Sequence, residues 1–447
     1  MGMTKLRHVK SFLCGGLSLA AAITLPAAPR PNILLIFADD LGRGDVSCYD
    51  SEIRTPNLDS LARDGVKFES FYVAAPVCTA SRFGLLTGRY PARSHDKLFG
   101  ALMFLQERDA TRGIRPHETT IAEVLQREGY QTAIIGKWHL GHGQPQFSPR
   151  RHGFDHAYGS SGGCVDYFTQ RYGEKPDWFR NDKPIKEKGY TTDLITDEAV
   201  RWLGQQSAEK PFFLYLAYTA PHYGKGWNAE EKKPTSVLQP KPGQLNRFKN
   251  ITDEKRRNFA AMVGSLDDGV GRVLETLRRA KLDRNTLIIF TSDNGGDPRF
   301  GGSNKPLRGK KNEVWEGGIR EPCLMVWPGK IKPAAVIRDP TTTLDFFPTF
   351  CAIASAKREG SALDGQSLAT LLLEGKPLPE GDLFWQQPNG IALRRGAWKF
   401  LRIGKEEMLF NLDNDPSESK DLASDKPEML QALKSAHAAI AATLPRW

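Results

Sequence analysis

The chain begins its patterned region with an apolar run at residues 32–37, which is followed by Asp39 and Asp40. A short continuous apolar run of this kind is typical of a buried strand in a parallel sheet. A helical pattern then starts at Pro56 and ends at Gly65. Proline in the first turn and glycine at the end are the usual boundaries of a helix.

Strand and helix patterns continue to alternate as far as residue 327. Further strands are predicted at residues 66–73, 131–135, 212–218, 286–290 and 323–327, and further helices at residues 81–87, 120–129, 193–203 and 253–280. Strands that alternate with helices indicate a mainly parallel sheet with helices on both faces. The sequence therefore predicts an α/β fold built on one large sheet sandwiched by helices, with 323–327 as its last strand.

The pattern changes after about residue 376. Three short strand patterns follow each other at residues 391–393, 398–401 and 408–412, and a helical pattern covers residues 429–442. They predict a small antiparallel sheet with one packed helix. We place the boundary at the turn-forming segment 377–381, so that a large domain covers residues 29–376 and an α+β subdomain covers residues 377–447.

The first 28 residues have the character of a secretory signal peptide. Basic residues, among them Lys5 and Lys10, precede an apolar stretch at residues 11–25, and small residues follow at 26–28. The apolar stretch is shorter than the roughly 20 residues that span a bilayer. An N-terminal membrane anchor is the alternative. No later stretch has the length of a membrane-spanning helix, and we expect an exported protein without an integral membrane segment after cleavage, in the periplasm or outside the cell.

Charge and cysteine content add two constraints. The whole chain carries +10, and removal of residues 1–28 takes away three Lys/Arg residues and leaves +7. A basic exported protein attracts polyanions. No nucleic-acid-binding motif or long basic run is present, which favours a sulfated polysaccharide over nucleic acid. Five cysteines would remain, at positions 48, 78, 164, 323 and 351. Their odd number leaves at least one unpaired, and the other four could form two disulfides in three ways, or none.

Polar residues follow the predicted strands at the point where each one ends. They are Asp39-Asp40 after 32–37, Lys137 and His139 after 131–135, His222 after 212–218, and Asp293-Asn294 after 286–290. In an open α/β sheet, ligands bind beyond the carboxyl ends of the strands. Three carboxylates and one amide form an all-oxygen ligand set, which favours calcium or magnesium over zinc. We expect Asp39, Asp40, Asp293 and Asn294 to bind such a cation.

The segment from Cys78 to Tyr90, Cys-Thr-Ala-Ser-Arg-Phe-Gly-Leu-Leu-Thr-Gly-Arg-Tyr, resembles the signature of the formylglycine-dependent sulfatase family. Further segments resemble the family's other motifs in the same order: Gly-Lys-Trp-His-Leu-Gly at 136–141, Pro-His at 221–222, Ser-Asp-Asn-Gly at 292–295, and Lys311 followed by Glu-Gly-Gly at 316–318. The resemblance extends from Pro31 to about Leu422, and it implies the alkaline phosphatase-like fold.

The resemblance also implies an activity, namely hydrolysis of sulfate monoesters. A separate maturation enzyme would oxidise Cys78 to formylglycine, whose hydrated aldehyde is the nucleophile. Calcium would be bound by the four oxygen ligands named above and by the oxidised Cys78. The remaining implied roles are Arg82 beside the nucleophile, Lys137, His222 and Lys311 on the sulfate oxygens, His222 or Lys311 as proton donor to the leaving oxygen, and His139 as the base that restores the aldehyde. We add His142 as a residue expected to contact substrate.

Two alternatives stay open at this point. A phosphatase or phosphonate hydrolase of the same superfamily would use a serine or threonine in place of Cys78 when it is built on zinc. A non-catalytic binder of sulfated glycans would result if Cys78 were not matured. Many family members carry proline where this chain has Ala80, so the sequence leaves the maturation enzyme open.

Substrate preference is indicated only by resemblance. Segments 146–155 and 301–304 resemble those of arylsulfatase A and N-acetylgalactosamine-6-sulfatase. We expect exo-acting removal of a 6-O-sulfate from a terminal galactose or N-acetylgalactosamine unit. Loops 94–115 and 222–248 are expected to determine which sulfate is cleaved.

Overall fold

The computed structural model describes residues 1–2, 30–357, 360 and 362–445. The expected signal peptide lies almost entirely outside these residues. Within the described part of the chain, no helix has the length and apolar character needed to cross a membrane.

Strands and helices alternate through most of the chain. The strands are β1 Asn32–Asp39, β2 Val66–Phe68, β3 Phe71–Tyr72, β4 Gln131–Lys137, β5 His156–Ser160, β6 Arg171–Tyr172, β7 Lys175–Pro176, β8 Phe179–Arg180, β9 Lys183–Pro184, β10 Phe212–Pro221, β11 Gly224–Asn228, β12 Lys233–Val237, β13 Thr286–Ser292, β14 Cys323–Val326, β15 Ala335–Ile337, β16 Thr341–Thr342, β17 Asp382–Gln387, β18 Gly390–Arg395, β19 Trp398–Ile403 and β20 Glu406–Asn411. The α-helices are α1 Pro56–Asp64, α2 Cys78–Thr87, α3 Glu107–Ala110, α4 Ile121–Arg127, α5 Thr191–Leu203, α6 Glu254–Arg279, α7 Glu316–Ile319, α8 Phe346–Ala354, α9 Ala369–Glu374 and α10 Pro427–Ala442.

Ten of the described strands form one sheet in the order β15-β2-β14-β13-β1-β10-β4-β5-β8-β9. Its centre, from β13 through β1, β10 and β4 to β5, is entirely parallel. The antiparallel pairings lie towards the two sides, where β14 and β8 join. The predicted α/β class with a mainly parallel sheet is therefore confirmed.

Helices cover both faces of this sheet, and its central strands are therefore buried on both sides. Along β1, Leu34 and Ile36 face a core that includes residues of α1, α5 and α6. The alternating Ile33 and Leu35 face a second core that includes residues of α2, α4 and α8. The absence of polar residues from positions 33–38 of β1 follows from this double burial.

Two of the predictions made from sequence are corrected by the structure, which also decides between the open disulfide alternatives. Segment 66–73 is two short strands, β2 and β3, which belong to different sheets because the chain turns at Glu69-Ser70. The segment at 323–327 is not the last strand of the large sheet, since β15 follows it and pairs with β2. Four cysteines, Cys48, Cys78, Cys164 and Cys323, carry free thiols, so the two-disulfide arrangements are not formed.

The C-terminal part is a four-stranded antiparallel sheet, β17 to β20, with α10 packed on it. This arrangement confirms the predicted small sheet and helix, although β17 was not predicted. The other face of the sheet packs on the large domain, where the Trp385 indole donates a hydrogen bond to the carbonyl of Val73 at 2.8 Å. The boundary at residues 376/377 stays a prediction.

A buried ionic network joins the small sheet to α7. The ammonium of Lys399, on β19, contacts Glu316 at 2.9 Å and Glu418 at 2.8 Å, and the three side chains are fully buried or nearly so. Glu316 begins α7 and also accepts a hydrogen bond from the Tyr72 hydroxyl at 2.6 Å. The network therefore anchors α7, which lies five residues after Lys311.

Candidate active site

The predicted polar residues meet at the carboxyl edge of the sheet. Strands β1 and β13 run side by side with Ala38 opposite Ser292, so Asp39-Asp40 and Asp293-Asn294 leave the sheet together. The backbone N–H of Asp40 donates to Asp293 Oδ1 at 3.0 Å. β10 and β4 end beside them and deliver the segments that hold His222, Lys137 and His139.

Four oxygen-bearing side chains form a buried cluster at this edge: Asp39, Asp40, Asp293 and Asn294, none more than 3% exposed. Two of its oxygens, Asp39 Oδ1 and Asn294 Oδ1, are buried without a hydrogen-bond partner. A buried acceptor left without a donor costs about 1–3 kcal/mol, and a hard cation would satisfy both atoms. The donor set therefore fits the calcium ion predicted from sequence.

His222 and Cys78 lie close to the same acids. Ligand atoms of Asp39, Asp40, Cys78 and His222 all lie within 4.8 Å of one another. His222 Nε2 is 3.5 Å from Asp40 Oδ2. A cation held by the aspartates would therefore be next to the residue predicted to carry the nucleophile.

Three cations neutralise the three carboxylates. Lys137 Nζ is 2.7 Å from Asp39 Oδ2, and Arg82 Nη2 is 2.9 Å from Asp293 Oδ2 and 3.7 Å from Asp39 Oδ1. Lys311 completes the set through Asp40. Formal charge in the cluster is balanced before any metal or substrate enters.

The pKa values of two of these carboxyl groups, Asp39 and Asp293, are shifted in opposite directions. Burial and the nearby Asp293 raise the pKa of Asp39 well above its usual value, although Lys137 opposes them. Burial acts in the same direction on Asp293, but Arg82 and Lys137 outweigh it and hold the pKa of Asp293 below its usual value. A divalent cation next to Asp39 would favour its ionised form.

Both active-site lysines are held in the charged form. Burial disfavours the ammonium of Lys137, but Asp39 together with Cys78 and Asp293 outweighs burial and raises the pKa of the lysine. Burial is likewise outweighed at Lys311, where Asp40 and Cys78 raise the pKa well above its usual value. Both side chains are therefore positively charged at neutral pH.

Cys78 is the first residue of α2 and is 1% exposed. Burial raises the pKa of its thiol to about 12, although Lys137 and Lys311 oppose the shift. Reactive cysteines have lowered pKa values, because the thiolate is the nucleophile. The environment of Cys78 therefore does not fit catalysis by the unmodified thiol.

Arg82 lies one helical turn after Cys78 and is completely buried. Its Nη1 donates to the carbonyl of Lys137 at 3.1 Å and to the Tyr215 hydroxyl at 3.3 Å. Together with the contacts to Asp39 and Asp293, these bonds join the start of α2 to the ends of three strands. Arg82 approaches the site from the protein interior.

The two histidines differ in which ring nitrogen is free. His139 Nε2 lies 2.9 Å from the carbonyl of Leu102 and therefore donates to it, while Nδ1 is buried without a partner. His222 Nδ1 lies 2.8 Å from the carbonyl of Tyr223, which leaves Nε2 facing Asp40. Burial lowers the pKa of His139 well below its usual value and that of His222 to about 3. Both rings are neutral at physiological pH.

Two site residues adopt left-handed backbone conformations. Asp40 has φ 63° and His139 has φ 57°. Non-glycine residues in this region cost of order 1 kcal/mol each and concentrate at functional sites. The surrounding structure therefore holds both residues in conformations that their own backbones disfavour.

Comparison with known proteins identifies this arrangement. The sequence model of the family described as "Sulfatase" matches residues 31–356. The chain belongs to the sulfatase family. Bovine arylsulfatase A is 34% identical over 94% of this chain and 89% of its own length. Human N-acetylgalactosamine-6-sulfatase is 31% identical over 91% of this chain and 84% of its own length.

Solved structures agree with this assignment. "Ps i-CgsB" superposes with a TM-score of 0.82 and 35% identity, covering 90% of this chain and 91% of its own. The same protein in complex with k-i-k-neocarrahexaose gives 0.81 and 34% identity, with the same coverage. The sulfatase fold and hydrolysis of sulfuric esters follow for this chain.

A pocket of about 160 Å³ opens onto the sulfatase site. Of the predicted residues, Cys78, His139, His222 and Lys311 line it, whereas Lys137 lies behind them against Asp39. His142 does not line the pocket. Its ring packs 5.0 Å from that of Phe104, which does, and a substrate contact for His142 stays a prediction.

Several residues that line this pocket were not named from sequence: Met103, Phe104, Cys164, Tyr172, Tyr223, Asp297, Arg299 and Asn312. Met103, Phe104 and Tyr223 lie in the two loops expected to determine which sulfate is cleaved, 94–115 and 222–248. The others share no sequence pattern, and Tyr172 is in the short strand β6. Asp297 and Arg299 carried one usable signal, since they follow the Asp293-Asn294 pair within a few residues. A larger pocket of about 350 Å³ near the small sheet contains none of the predicted site residues.

Proposed function

We propose that the protein is an exported, calcium-dependent sulfatase that uses formylglycine at position 78 to remove sulfate from a sulfated carbohydrate. The observation that carries this proposal is the pair of buried oxygens without hydrogen-bond partners, Asp39 Oδ1 and Asn294 Oδ1, together with the position of Asp39 within 4.8 Å of Cys78. A bound cation would satisfy oxygen atoms that have no hydrogen-bond partner. Membership of the sulfatase family supports the same chemistry.

The oxygen donors would hold calcium, with Asp40 and Asp293 completing the carboxylate set. A bound calcium ion supplies positive charge that polarises the nucleophile and a sulfate oxygen. Hydrated formylglycine supplies a hydroxyl nucleophile where the buried thiol of Cys78 is unreactive. The position at the N-terminus of α2 favours an anionic group there, since the helix dipole is positive at that end.

His139 is placed to accept a proton. Its Nε2–H is committed to the Leu102 carbonyl, so the free lone pair lies on the buried Nδ1. The lowered pKa keeps the ring neutral and ready to act as a base. We assign it the proton of the second hydroxyl group on residue 78.

Lys311 is the better proton donor to the leaving oxygen. It lines the pocket and is protonated at neutral pH. His222 is neutral, and its ring proton is on Nδ1, which faces the Tyr223 carbonyl. His222 Nε2 would therefore have no proton to give in the resting state. Lys137 and Arg82 act from behind, where they fix and neutralise the carboxylates.

We assign as substrate a terminal, 6-O-sulfated galactose or N-acetylgalactosamine unit of an extracellular polyanion, cleaved in exo fashion. Support comes from relatives named N-acetylgalactosamine-6-sulfatase and from the neighbouring structure that holds k-i-k-neocarrahexaose. The small pocket and the charge of +7 after removal of residues 1–28 suit the end of an anionic chain.

Two measurements on one preparation test the proposal. Mass analysis of the Cys78 peptide should show an aldehyde in place of the thiol after expression with a formylglycine-generating enzyme. Sulfate release should then be measured on galactose and glucosamine derivatives that carry sulfate at position 2, 3, 4 or 6. Activity with an unconverted Cys78 would contradict the nucleophile, whereas binding without turnover in converted protein would favour a glycan binder. Preference for another sulfate position, or for internal units, would overturn only the substrate assignment.

A further inference from the structure

Arg299 is a pre-oriented, exposed cation at the mouth of the pocket. It lines the same pocket as Lys311, and its side chain remains 68% exposed. Two of its nitrogens are fixed by the carboxylate of Asp297, with Nε–Oδ1 at 3.1 Å, Nε–Oδ2 at 3.0 Å and Nη2–Oδ2 at 2.6 Å. Asp297 itself is 3% exposed. These contacts use Nε and Nη2, and a guanidinium has five N–H groups to offer.

An aromatic wall stands beside this cation. The Tyr223 ring packs 4.1 Å from that of His222 and 4.3 Å from that of Phe300, measured between centroids. Phe300 is the next residue after Arg299, whereas His222 and Tyr223 follow β10, so two separate segments of the chain bring the rings and the guanidinium together. Apolar ring faces of this kind contact the C–H face of a sugar, while a planar guanidinium binds sulfate or carboxylate through paired N–H groups.

We propose that Arg299 binds a second anionic group on the sugar chain whose scissile sulfate lies at Lys311. The inference rests on the proposed function, and it narrows the substrate to saccharides that carry a further sulfate or a carboxylate near the bond that is cleaved. Asp297 acts as a positioning residue, because it holds the guanidinium in place before the ligand arrives. Less side-chain entropy is then lost on binding.

Lys225 offers a matched comparison. Its ammonium also lies near the mouth, 5.5 Å from the Tyr172 ring centroid and 5.8 Å from that of Tyr223. It donates a hydrogen bond to the Ser236 hydroxyl at 3.0 Å, within the hairpin of β11 and β12. Since this cation already interacts with two rings and a hydroxyl, Lys225→Gln removes the same charge without removing the proposed contact.

The experiment measures kcat/KM on three substrates: a monosulfated disaccharide, the same disaccharide with a second sulfate on the adjoining sugar, and its counterpart with a uronic carboxylate there. For Arg299→Gln we expect kcat/KM to fall about tenfold more on a dianionic substrate than on the monosulfated one, mainly through KM. Arg299→Lys should recover part of the loss. The two dianionic substrates show whether sulfate or carboxylate is the natural group.

Three results would overturn the inference. They are an equal loss on all three substrates, an equal selective loss in Lys225→Gln, which would indicate general charge attraction, and no preference of the wild-type protein for a second anion. In each case cleavage of the monosulfated substrate would leave the proposed function standing. Absence of sulfate release from every substrate would instead contradict the proposed function itself. Circular dichroism of Arg299→Gln checks that the fold is retained.

Discussion

The ammonium of Lys311 lies 2.7 Å from each of the two carboxylate oxygens of Asp40, although the residues are 271 positions apart in the chain. Asp40 follows β1, and Lys311 follows the loop after β13. The lysine is thus fixed between the proposed calcium ligands and the pocket. Among the described residues that line the pocket, Lys311 is the one whose positive charge contacts a carboxylate of the buried acidic cluster.

Replacement of Lys311 should therefore remove transition-state stabilisation. We expect Lys311→Ala to lower kcat on an aryl sulfate by about 100-fold or more, because a buried charge aimed at the reacting group is lost. Lys310→Ala is the matched control, since the neighbouring lysine does not line the pocket. Steady-state kinetics of the two variants measure the difference. Equal effects of both substitutions would contradict the role of Lys311.

Removal of divalent metal ions should abolish activity. The protein should stay folded, because the side chains of Arg82, Lys137 and Lys311 already balance the charge of the three carboxylates. Calcium should restore turnover better than zinc, since the ligands are oxygens. Added calcium should also raise Tm in a concentration-dependent manner, because a ligand of the native state stabilises it. Asn294→Ala should weaken this shift. Full activity of strictly metal-free protein would be incompatible with the proposed site.

Cys78→Ala should lower turnover by at least about three orders of magnitude, because no nucleophile remains. The fold should persist, as alanine fits the buried start of α2. Cys48→Ala serves as control, because Cys48 lies outside the pocket and is partly exposed. Turnover and far-ultraviolet circular dichroism are the measurements. An active, folded Cys78→Ala protein would refute the assignment.

His152 should make the fold sensitive to mild acid. Burial lowers its pKa to about 4, although a contact with the Gln146 carbonyl opposes the shift. An unfolded histidine titrates near 6.5, so the stability that the neutral ring provides is present above that pH and is lost as pH falls towards 4.

Between pH 7 and pH 5 the wild-type protein should lose about 2 kcal/mol more unfolding free energy than His152→Gln, which cannot titrate. Urea denaturation at the two pH values measures this difference. The same loss in both proteins would show that His152 is not responsible.

Lys399→Met should destabilise the protein by about 3–5 kcal/mol, because the buried Glu418 would lose its ion-pair partner and Glu316 would keep only its contact with Arg320 at 3.3 Å among its ion pairs. Lys434→Met is the control. Its ion pair with Glu407 is about 30% exposed and should contribute less than about 1 kcal/mol. Thermal denaturation of both variants provides the test, and a small Tm change in Lys399→Met would speak against a structural role of the network.

The sequence contained enough information to predict the centre of the sheet and the residues at its edge. β1 and β13 are buried on both faces, so their apolar runs are continuous and their ends are clear at Asp39 and Ser292. Short peripheral strands lack this signal. β15 and β17 were missed because each is only partly buried, and their apolar runs, 335–337 and 383–385, are only three residues long.

The individual residues at the mouth of the pocket could not be predicted from sequence patterns for a different reason. Tyr172, Tyr223 and Arg299 lie on separate segments of the chain, and their proximity depends on how those segments pack rather than on any spacing along the chain. The ionic contacts were also unpredictable in detail. The motifs pointed to Arg82 and Lys137, but not to their full burial and their contacts with Asp39 and Asp293.

The left-handed backbones of Asp40 and His139 set a limit on how stable this enzyme can become without losing its chemistry. Glycine at position 40 would relax the backbone, yet it would delete a proposed calcium ligand and the partner of Lys311. Selection for thermal tolerance alone would therefore favour replacements that damage catalysis. Engineering for heat resistance should begin far from the carboxyl edge of the sheet, for example on the exposed face of α6 or α10.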